Sequence, residues 1–275
     1  MLAATLLALG SAALHTGWNL LVKTSADRLM TMWGQLLAGG LIFLPWLPLV
    51  GPPGWDVLPF LACSCVVHGI YALALTRAYR CGDFSFAYPV ARGGGALVAA
   101  AAGVVFLGDQ LSAAAWVAIA VAAGGLICLA GAGRTPSALL WAGLTAAAIG
   151  TYTSVDAAGA RASSGFGYGI SVTLGAGLGL TLALAARGRS RAMWRTVAAD
   201  WPRCFAGGAA SALAYSMVLT GARLAPVGYV AALREVSVVL AAAAGWLLLH
   251  ERQGRRRVAS AVTVAFGLAL LVAFR

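Results

Sequence analysis

Two arginines stand inside long apolar stretches of this 275-residue chain, Arg92 in one half and Arg234 in the other. A charge at the centre of a bilayer costs about 2.5–3.5 kcal/mol on insertion scales, so each arginine needs a compensating interaction. A guanidinium group forms paired hydrogen bonds with a carboxylate, phosphate or phosphonate. The first interpretation of the two arginines is therefore a buried site for an anionic group.

The second interpretation is an internal ion pair that holds helices together. Glu235 directly follows Arg234, and Asp156 is another acid in a largely apolar segment. Either acid could neutralise one arginine. The sequence leaves both interpretations open, and they are compatible, because an acid can hold an arginine until a substrate or a proton displaces it.

The surroundings of the two arginines are repeated. Arg92 precedes Asp109 by seventeen residues, Arg234 precedes Glu251 by the same number, and seven of the eighteen aligned positions are identical. The identical positions include the runs Ala99–Gly103 and Ala241–Gly245. The alignment predicts a duplicated chain with a cation at the same depth in each half. The two acids fall at predicted helix ends, as boundaries or gates of the repeat.

One face of the first apolar segment carries His15, Trp18, Asn19 and Lys23 at helical spacing. Trp18 and Asn19 are predicted to line a binding pocket, with an indole N–H and an amide as polar groups. His15 is a candidate for proton coupling, or alternatively a structural histidine bonded to a neighbouring helix. Lys23 is expected to reach the membrane interface.

Two more acids are candidates for proton coupling beside His15. Glu235 and Asp156 lie in predicted helices, where a buried carboxyl group is often functional. The alternative for Asp156 is an interfacial ion pair with Arg161, five residues further along.

Several tyrosines lie close to these charged residues in the sequence. Tyr88 precedes Arg92 by one helical turn, and Tyr152 precedes Asp156 in the same way. Both are predicted to shape the binding pocket. Tyr71 and Tyr215 fall at equivalent positions of the two halves and either line the cavity or pack between helices.

Small residues also have two interpretations. Gly93–Gly95 directly follows Arg92 and either breaks the helix at a ligand or allows close helix packing. Ala99 and Gly103 are predicted to pack against another helix. The cysteines, which form no CxxC pair, are predicted to be small buried apolar residues: Cys63, Cys65, Cys81, Cys128 and Cys204.

Composition defines the class of protein. Hydrophobic residues make up 61% of the chain and charged residues only 10%, against about 25% charged in soluble domains. With a mean hydropathy of +0.87, the sequence predicts an integral membrane protein. The net charge of +11 is expected on cytoplasmic loops facing anionic membrane lipids, and no polar segment predicts nucleic-acid binding.

Ten apolar segments are long enough to cross a bilayer as helices, since about 20 residues suffice. They are 2–22, 29–50, 57–79, 84–107, 112–132, 136–157, 166–186, 203–222, 226–249 and 255–274. The predicted fold is an all-α membrane protein with ten transmembrane helices in two inverted five-helix repeats, residues 1–133 and 134–275. An inverted repeat predicts a site between the halves near the midplane. Counting positive charges places both termini outside the cytoplasm.

Four motifs carry a resemblance to a known family. They are residues 14–23 (LHTGWNLLVK), 150–156 (GTYTSVD) followed by 159–161 (GAR), 88–93 (YPVARG) and 232–237 (ALREVS). In these motifs, and along essentially the whole chain, the sequence resembles a bacterial subgroup of the EamA-type family in the drug/metabolite transporter superfamily. The resemblance implies a ten-helix fold of two inverted repeats and ion-coupled or exchange transport of small metabolites. Where that family has Gly-Glu, this chain has Gly108-Asp109 and His250-Glu251, so the charge is kept.

The expected function is secondary active transport across the bacterial inner membrane. The substrate is expected to be a small polar metabolite such as an amino acid or organic anion, exported by alternating access and coupled to protons or a counter-substrate. The predicted substrate-binding residues are Arg92, Arg234, Trp18, Asn19, Tyr88 and Tyr152, with His15, Glu235 and Asp156 for proton coupling.

Three alternatives to a transporter are a lipid flippase, a membrane scaffold and an enzyme. A flippase for a phosphate-headed lipid carrier would use the same arginines, and a membrane scaffold ranks third because it does not need them. The chain has neither a phosphate-binding loop nor a zinc-binding HExxH motif. An enzyme, a cofactor and a bound metal are therefore not expected, and the sequence is compatible with a monomer.

Overall fold

The computed structural model describes residues 1–81, 84–128 and 135–240, together with positions 263, 264, 266, 267, 270, 271 and 273. The side chains described exclude those of residues 23, 28, 72, 76, 79, 80, 84–89 and 126–128. About 90% of the structure is helical, and the described residues form no strand. The helical class predicted from the sequence is confirmed.

Ten α-helices have both ends within the described part of the chain, and residues 236–240 and the described positions from 263 to 273 are also helical. The ten helices are α1 Leu2–Lys23, α2 Arg28–Phe43, α3 Leu47–Val50, α4 Leu58–Cys81, α5 Phe84–Leu107, α6 Ala113–Cys128, α7 Pro136–Ala162, α8 Gly165–Ala186, α9 Ser190–Leu224 and α10 Val227–Arg234. Seven helical segments of this part are long and apolar enough to cross a membrane. The chain is therefore a multi-pass membrane protein. The last two predicted spans fall partly or largely outside the described residues.

Two predicted spans differ from the observed helices for local reasons. Prolines 45 and 48 lack the N–H that a continuous helix needs, so the predicted span 29–50 becomes α2, a 3-10 turn and the short α3. The predicted span 203–222 is part of the longer α9, whose backbone leaves helical geometry at Asp200, two residues before Pro202. The segment before this kink begins at Ser190 and carries part of the basic cluster.

The helix connections meet at two ends of the bundle. At one end, the α1–α2 and α8–α9 connections are joined by Asp27 and Arg189, whose Oδ2 and Nη2 atoms are 3.5 Å apart. At the other end, Asp109 after α5 accepts a hydrogen bond of 2.6 Å from the backbone N–H of Val227, the first residue of α10. The first end carries most of the basic loop residues.

Close helix packing depends on small residues. A Cβ atom at Gly39 of α2 would lie 2.5 Å from the carbonyl oxygen of Gly208 in α9. Helix α5 continues unbroken through Gly93–Gly95, where a Cβ atom at Gly95 would lie 2.6 Å from a methyl group of Ile149 in α7. These glycines therefore serve close packing, and α5 has no break beside Arg92.

The cysteines are less uniform than predicted. Cys204 is buried beside Gly34, but Cys63 and Cys65 are exposed and Cys81 is partly exposed. The prediction that they are all buried is wrong for Cys63 and Cys65. The reason is that only 18% of the membrane span containing α4 is buried within the protein, so apolar residues there face outward. The side chain of Cys128 lies outside the described residues.

Candidate functional site

Arg92 and Glu235 form a buried ion pair between α5 and the end of α10. The Arg92 Nη2 atom donates to Glu235 Oε1 at 2.7 Å, and Nε donates to Oε2 at 3.1 Å. The two side chains are only 8% and 6% exposed. This fork-on-fork geometry satisfies both oxygens of the carboxylate and compensates for removing two charges from water.

Arg234 lies beside this pair, but its own hydrogen-bond and ring contacts are with His15 and Tyr215. Its Nη2 atom donates to His15 Nδ1 at 3.3 Å, and its guanidinium carbon lies 5.8 Å from the ring centre of Tyr215. Its Nε atom is buried and has no hydrogen-bond partner among the described residues. Two arginines and one glutamate leave this cluster with a net positive charge.

A small cavity separates the two guanidinium groups from α7. It is lined by Arg92, Gly95, Ala96, Ile149, Thr153, Val218, Ala231, Arg234 and Glu235. About 10 Å³ is open to the centre of a water molecule, which is room for about one water. The space between these residues is therefore small in this conformation.

The backbone explains how Arg234 and Glu235 reach different partners. Helix α10 ends at Arg234, Glu235 adopts a turn conformation (φ −67°, ψ −10°), and the chain then continues as a helix from residue 236. Adjacent residues at this helix end project in different directions. Of the two interpretations of the glycines after Arg92, the structure favours close packing, and the interruption of regular helix lies beside Arg234.

His15 links the first helix to this cluster. It is buried, accepts the Arg234 hydrogen bond, and meets the Trp18 ring edge-on with 4.8 Å between ring centres. The Asn19 amide donates at 2.7 Å to the backbone carbonyl of His15, within its own helix. Trp18 thus supports His15, and Asn19 makes its hydrogen bond away from Arg234.

Asp156 does not form the interfacial ion pair with Arg161 that was the alternative to a role in proton coupling. Its carboxylate is completely buried and accepts hydrogen bonds from the hydroxyls of Tyr168, at 3.2 Å, and Tyr215. Tyr215 therefore stands between Asp156 and Arg234. The interfacial pair of Asp156 with Arg161 is not formed, because Arg161 lies on the far side of the last turns of α7 and bonds elsewhere.

Arg161 and Asp109 instead close one end of the bundle. Arg161 Nη2 donates to Asp109 Oδ1 at 2.7 Å, and Arg161 Nε donates to the Ala222 carbonyl at 2.8 Å. Asp109 also accepts from the N–H of Val227. We call Asp109, Arg161 and Val227 the clasp, since they tie the end of α5 to α7 and to the start of α10. Glu251, the predicted counterpart of Asp109, lies outside the described residues.

Of the two tyrosines predicted to shape the pocket, the structure describes the side chain of Tyr152 but not that of Tyr88. Tyr152 is buried, stacks on His68 with 4.2 Å between ring centres, and meets Tyr71 edge-on at 5.8 Å. It belongs to an aromatic cluster next to Asp156, and it does not line the cavity of the arginines. The side chain of Tyr88 lies outside the described residues.

Some contributors to the site were not singled out from the sequence. Thr153 lines the cavity, and Tyr168 holds Asp156. The sequence held one signal for Thr153: it lies three residues before Asp156, so the two side chains lie on the same side of helix α7. Which face of α7 meets α5 is decided by packing, so this signal becomes clear only in the folded chain.

The fold and the cluster together define a polytopic helical membrane protein with a buried cationic centre. No protein-family model matches the sequence. No curated protein matches it either. Among solved structures, the chain is similar to one described simply as the crystal structure of a protein, with a TM-score of 0.75. The match covers 99% of each chain at 16% sequence identity, so the likeness concerns the fold.

Proposed function

We propose that this chain is a secondary active transporter of the EamA type, with ten membrane spans in two inverted five-helix repeats. The proposed cargo is a small metabolite that carries an anionic group, such as an amino acid or organic acid. The proposed location is the bacterial inner membrane, and the proposed direction is export. The observation that carries the proposal is the asymmetry of the two arginines: Arg92 is buried and paired with Glu235, while Arg234 is partly buried and its buried Nε atom has no hydrogen-bond partner among the described residues.

An incompletely compensated guanidinium is costly within a membrane. His15 and Tyr215 lessen that cost, but neither is a carboxylate. An anionic substrate would supply the missing partner, and its binding would be strong because charge-assisted hydrogen bonds are stronger in a dry environment. This supports Arg234, more than Arg92, as the anchor of the substrate.

The Arg92–Glu235 pair suggests how binding would be coupled to movement. It joins α5 of the first half to the segment after α10 in the second half. A proton on Glu235, or a substrate oxygen that takes its place on Arg92, would weaken the link between the halves. Proton coupling through Glu235, or exchange for a second substrate, follows from this arrangement. His15 and Asp156, at 8% and 0% exposure, remain proposed proton-coupling residues beside it.

The repeat also supports alternating access. Arg92 and Arg234 are the equivalent residues of the two halves, and both line one cavity. In an inverted repeat the two halves enclose a central site and rock against each other. The clasp would then close one of the two entrances.

The test is transport by the purified protein in liposomes, using labelled amino acids and organic acids with and without a pH gradient. Arg234→Gln should lower the initial rate about 10- to 100-fold, the effect of losing one charge-assisted hydrogen bond. Arg203→Gln is the matched control, because Arg203 forms a half-exposed pair with Asp200 at 3.3 Å. Full transport by Arg234→Gln would refute the assignment of the anchor. Lipid scrambling without solute uptake would instead identify a flippase.

A further inference from the structure

Three buried polar atoms that lack a hydrogen-bond partner among the described residues belong to α1, to the end of α10 and to the helical segment that follows α10. In the described part of the chain, five buried side-chain nitrogen or oxygen atoms lack a hydrogen-bond partner. Two belong to Gln35, and the other three are Ser11 Oγ, Arg234 Nε and Ser237 Oγ. Buried polar groups are nearly always hydrogen-bonded, so these three exceptions are candidates for contact with a ligand.

Contacts between the helices bring these atoms into one region. His15 of α1 accepts a hydrogen bond of 3.3 Å from Arg234, and Ser11 lies one turn before His15 on the same face of α1. Ser237 lies three residues after Arg234, and its carbonyl accepts a 3.1 Å hydrogen bond from the Thr16 hydroxyl of α1. We call Ser11, His15, Arg234 and Ser237 the seam.

The two seam hydroxyls differ from other buried hydroxyls of this protein. The Ser154 hydroxyl donates at 2.9 Å to the Gly150 carbonyl one turn earlier, and Thr173 donates at 2.8 Å to Gly169. This back-bonding is the usual solution for serine and threonine in a helix. Ser11 and Ser237, only 0% and 3% exposed, do not use it, so their donors remain available.

We propose that Ser11, Ser237 and the Nε of Arg234 bind one carboxylate group of the transported molecule. The inference rests on the proposed transport function and names the chemistry of its anchor. The Arg234 cation, whose Nε lacks a partner among the described residues, and two neutral hydroxyl donors match a group that carries one negative charge and only accepts hydrogen bonds.

The repeat explains why one arginine alone has this role. The offset that aligns Arg234 with Arg92 aligns Ser237 with Gly95, which packs against Ile149. The first half therefore lacks the hydroxyl, and Arg92 uses Glu235 as its carboxylate. The internal acid and the substrate thus occupy equivalent places in the two halves.

Binding of sodium acetate to the purified full-length protein tests the seam directly. The midpoint of thermal unfolding is followed against acetate concentration, with sodium chloride at equal ionic strength as the reference and inorganic phosphate as a second probe. A ligand that binds the folded state raises the midpoint in proportion to its occupancy. Acetate should raise the midpoint of the parent protein at lower concentrations than phosphate does.

The variants Ser11→Ala and Ser237→Ala should change stability and binding in opposite directions. Without acetate they should unfold at the parent temperature or above it, because no hydrogen bond is lost and a buried unpaired hydroxyl is removed. Their affinity for acetate should fall about tenfold or more, the effect of one hydrogen bond to a charged group. The matched control Ser154→Ala should unfold at a lower temperature and keep the parent affinity.

Three results would overturn the proposal. Parent-like acetate affinity in both serine variants, with binding lost in Arg234→Gln, would leave the arginine as anchor but exclude the hydroxyls. A serine-dependent preference for phosphate would exclude a carboxylate. If neither probe shifts the parent protein, the seam is not an anion site, and the liposome assay still decides the transport function separately.

Discussion

Arg92 and Glu235 neutralise each other's charge, and both side chains are almost completely buried. Removing one partner from such a pair leaves an uncompensated charge, which costs more than the pair itself contributes. The single replacements and the double replacement should therefore differ in a characteristic way.

We expect Glu235→Gln to lower the free energy of unfolding by about 3–5 kcal/mol, as for other broken buried pairs. The double variant Arg92→Gln/Glu235→Gln should recover part of this loss, since the charge of Arg92 is then no longer left without its partner. Thermal or denaturant unfolding in detergent measures both. The control is Asp200→Asn at the half-exposed pair with Arg203, where the loss should be about 1 kcal/mol or less. Equal losses in the single and double variants would contradict the interpretation.

At the scale of helices, the clasp joins elements that are distant in the chain. Asp109 follows α5, Arg161 lies in the last turn of α7, and Val227 begins α10. The Asp109 carboxylate also stands at the N-terminus of α10, where the helix dipole favours a negative charge. Losing that charge should loosen this end of the bundle.

Asp109→Asn should therefore open a path to the cavity. The measurement is the labelling rate of Ala231→Cys by a water-soluble thiol reagent, in a background without the native cysteines, because Ala231 lines the cavity. We expect labelling to become several-fold faster in Asp109→Asn. Asp27→Asn, which removes an exposed pair with Arg189 at the other end, should leave the rate unchanged. An unchanged rate in Asp109→Asn would show that the clasp does not control access.

Helix packing gives a second prediction at this scale. Gly39→Ala introduces a methyl group whose nearest atom would be the Gly208 carbonyl oxygen at 2.5 Å. Because backbone cannot move aside easily, we expect a loss of about 1–3 kcal/mol in unfolding free energy. At Gly143 a Cβ atom meets nothing within 4 Å, so Gly143→Ala should be neutral or stabilising through its better helix propensity. Similar behaviour of the two variants would argue against close contact between α2 and α9.

At the scale of the molecule, charge is distributed unequally between the two ends. The α1–α2 and α8–α9 connections meet at the end that holds Asp27, Arg189 and neighbouring arginines. Basic loops normally stay in the cytoplasm. Much of the positive charge at the opposite end is Arg161, which is already engaged in the clasp.

This distribution predicts the orientation in the membrane. Ser190→Cys should be protected from an impermeant thiol reagent added to intact cells, and Asp56→Cys should be labelled. Both positions are exposed in the structure, and α2 connects their two ends of the bundle. Permeabilised cells provide the control, because both cysteines should then react. The reverse pattern would place the basic end outside and show that the charge count misleads for this chain.

The helical spans were predictable because they depend on local properties. A run of about 20 apolar residues must satisfy its backbone hydrogen bonds within itself in lipid, and a helix does so. The interruption near residue 44 also has a local cause, in the prolines that follow. The depth of Arg92 and Arg234 in the bilayer stays a prediction from their positions in such runs.

Which acid pairs with which arginine was not predictable from local sequence, because the pairing depends on which helix faces pack against each other. Glu235 is adjacent to Arg234 in the sequence but pairs with Arg92 across the bundle, and Arg161 bonds Asp109 in preference to the nearer Asp156. The glycines after Arg92 were compatible with a helix break, yet α5 is continuous there and the turn that ends α10 lies after Arg234. The sequence thus determined that charges would be buried in membrane helices, since composition and length decide insertion. Only the tertiary structure decided which charges neutralise each other, because that depends on distances between residues far apart in the chain.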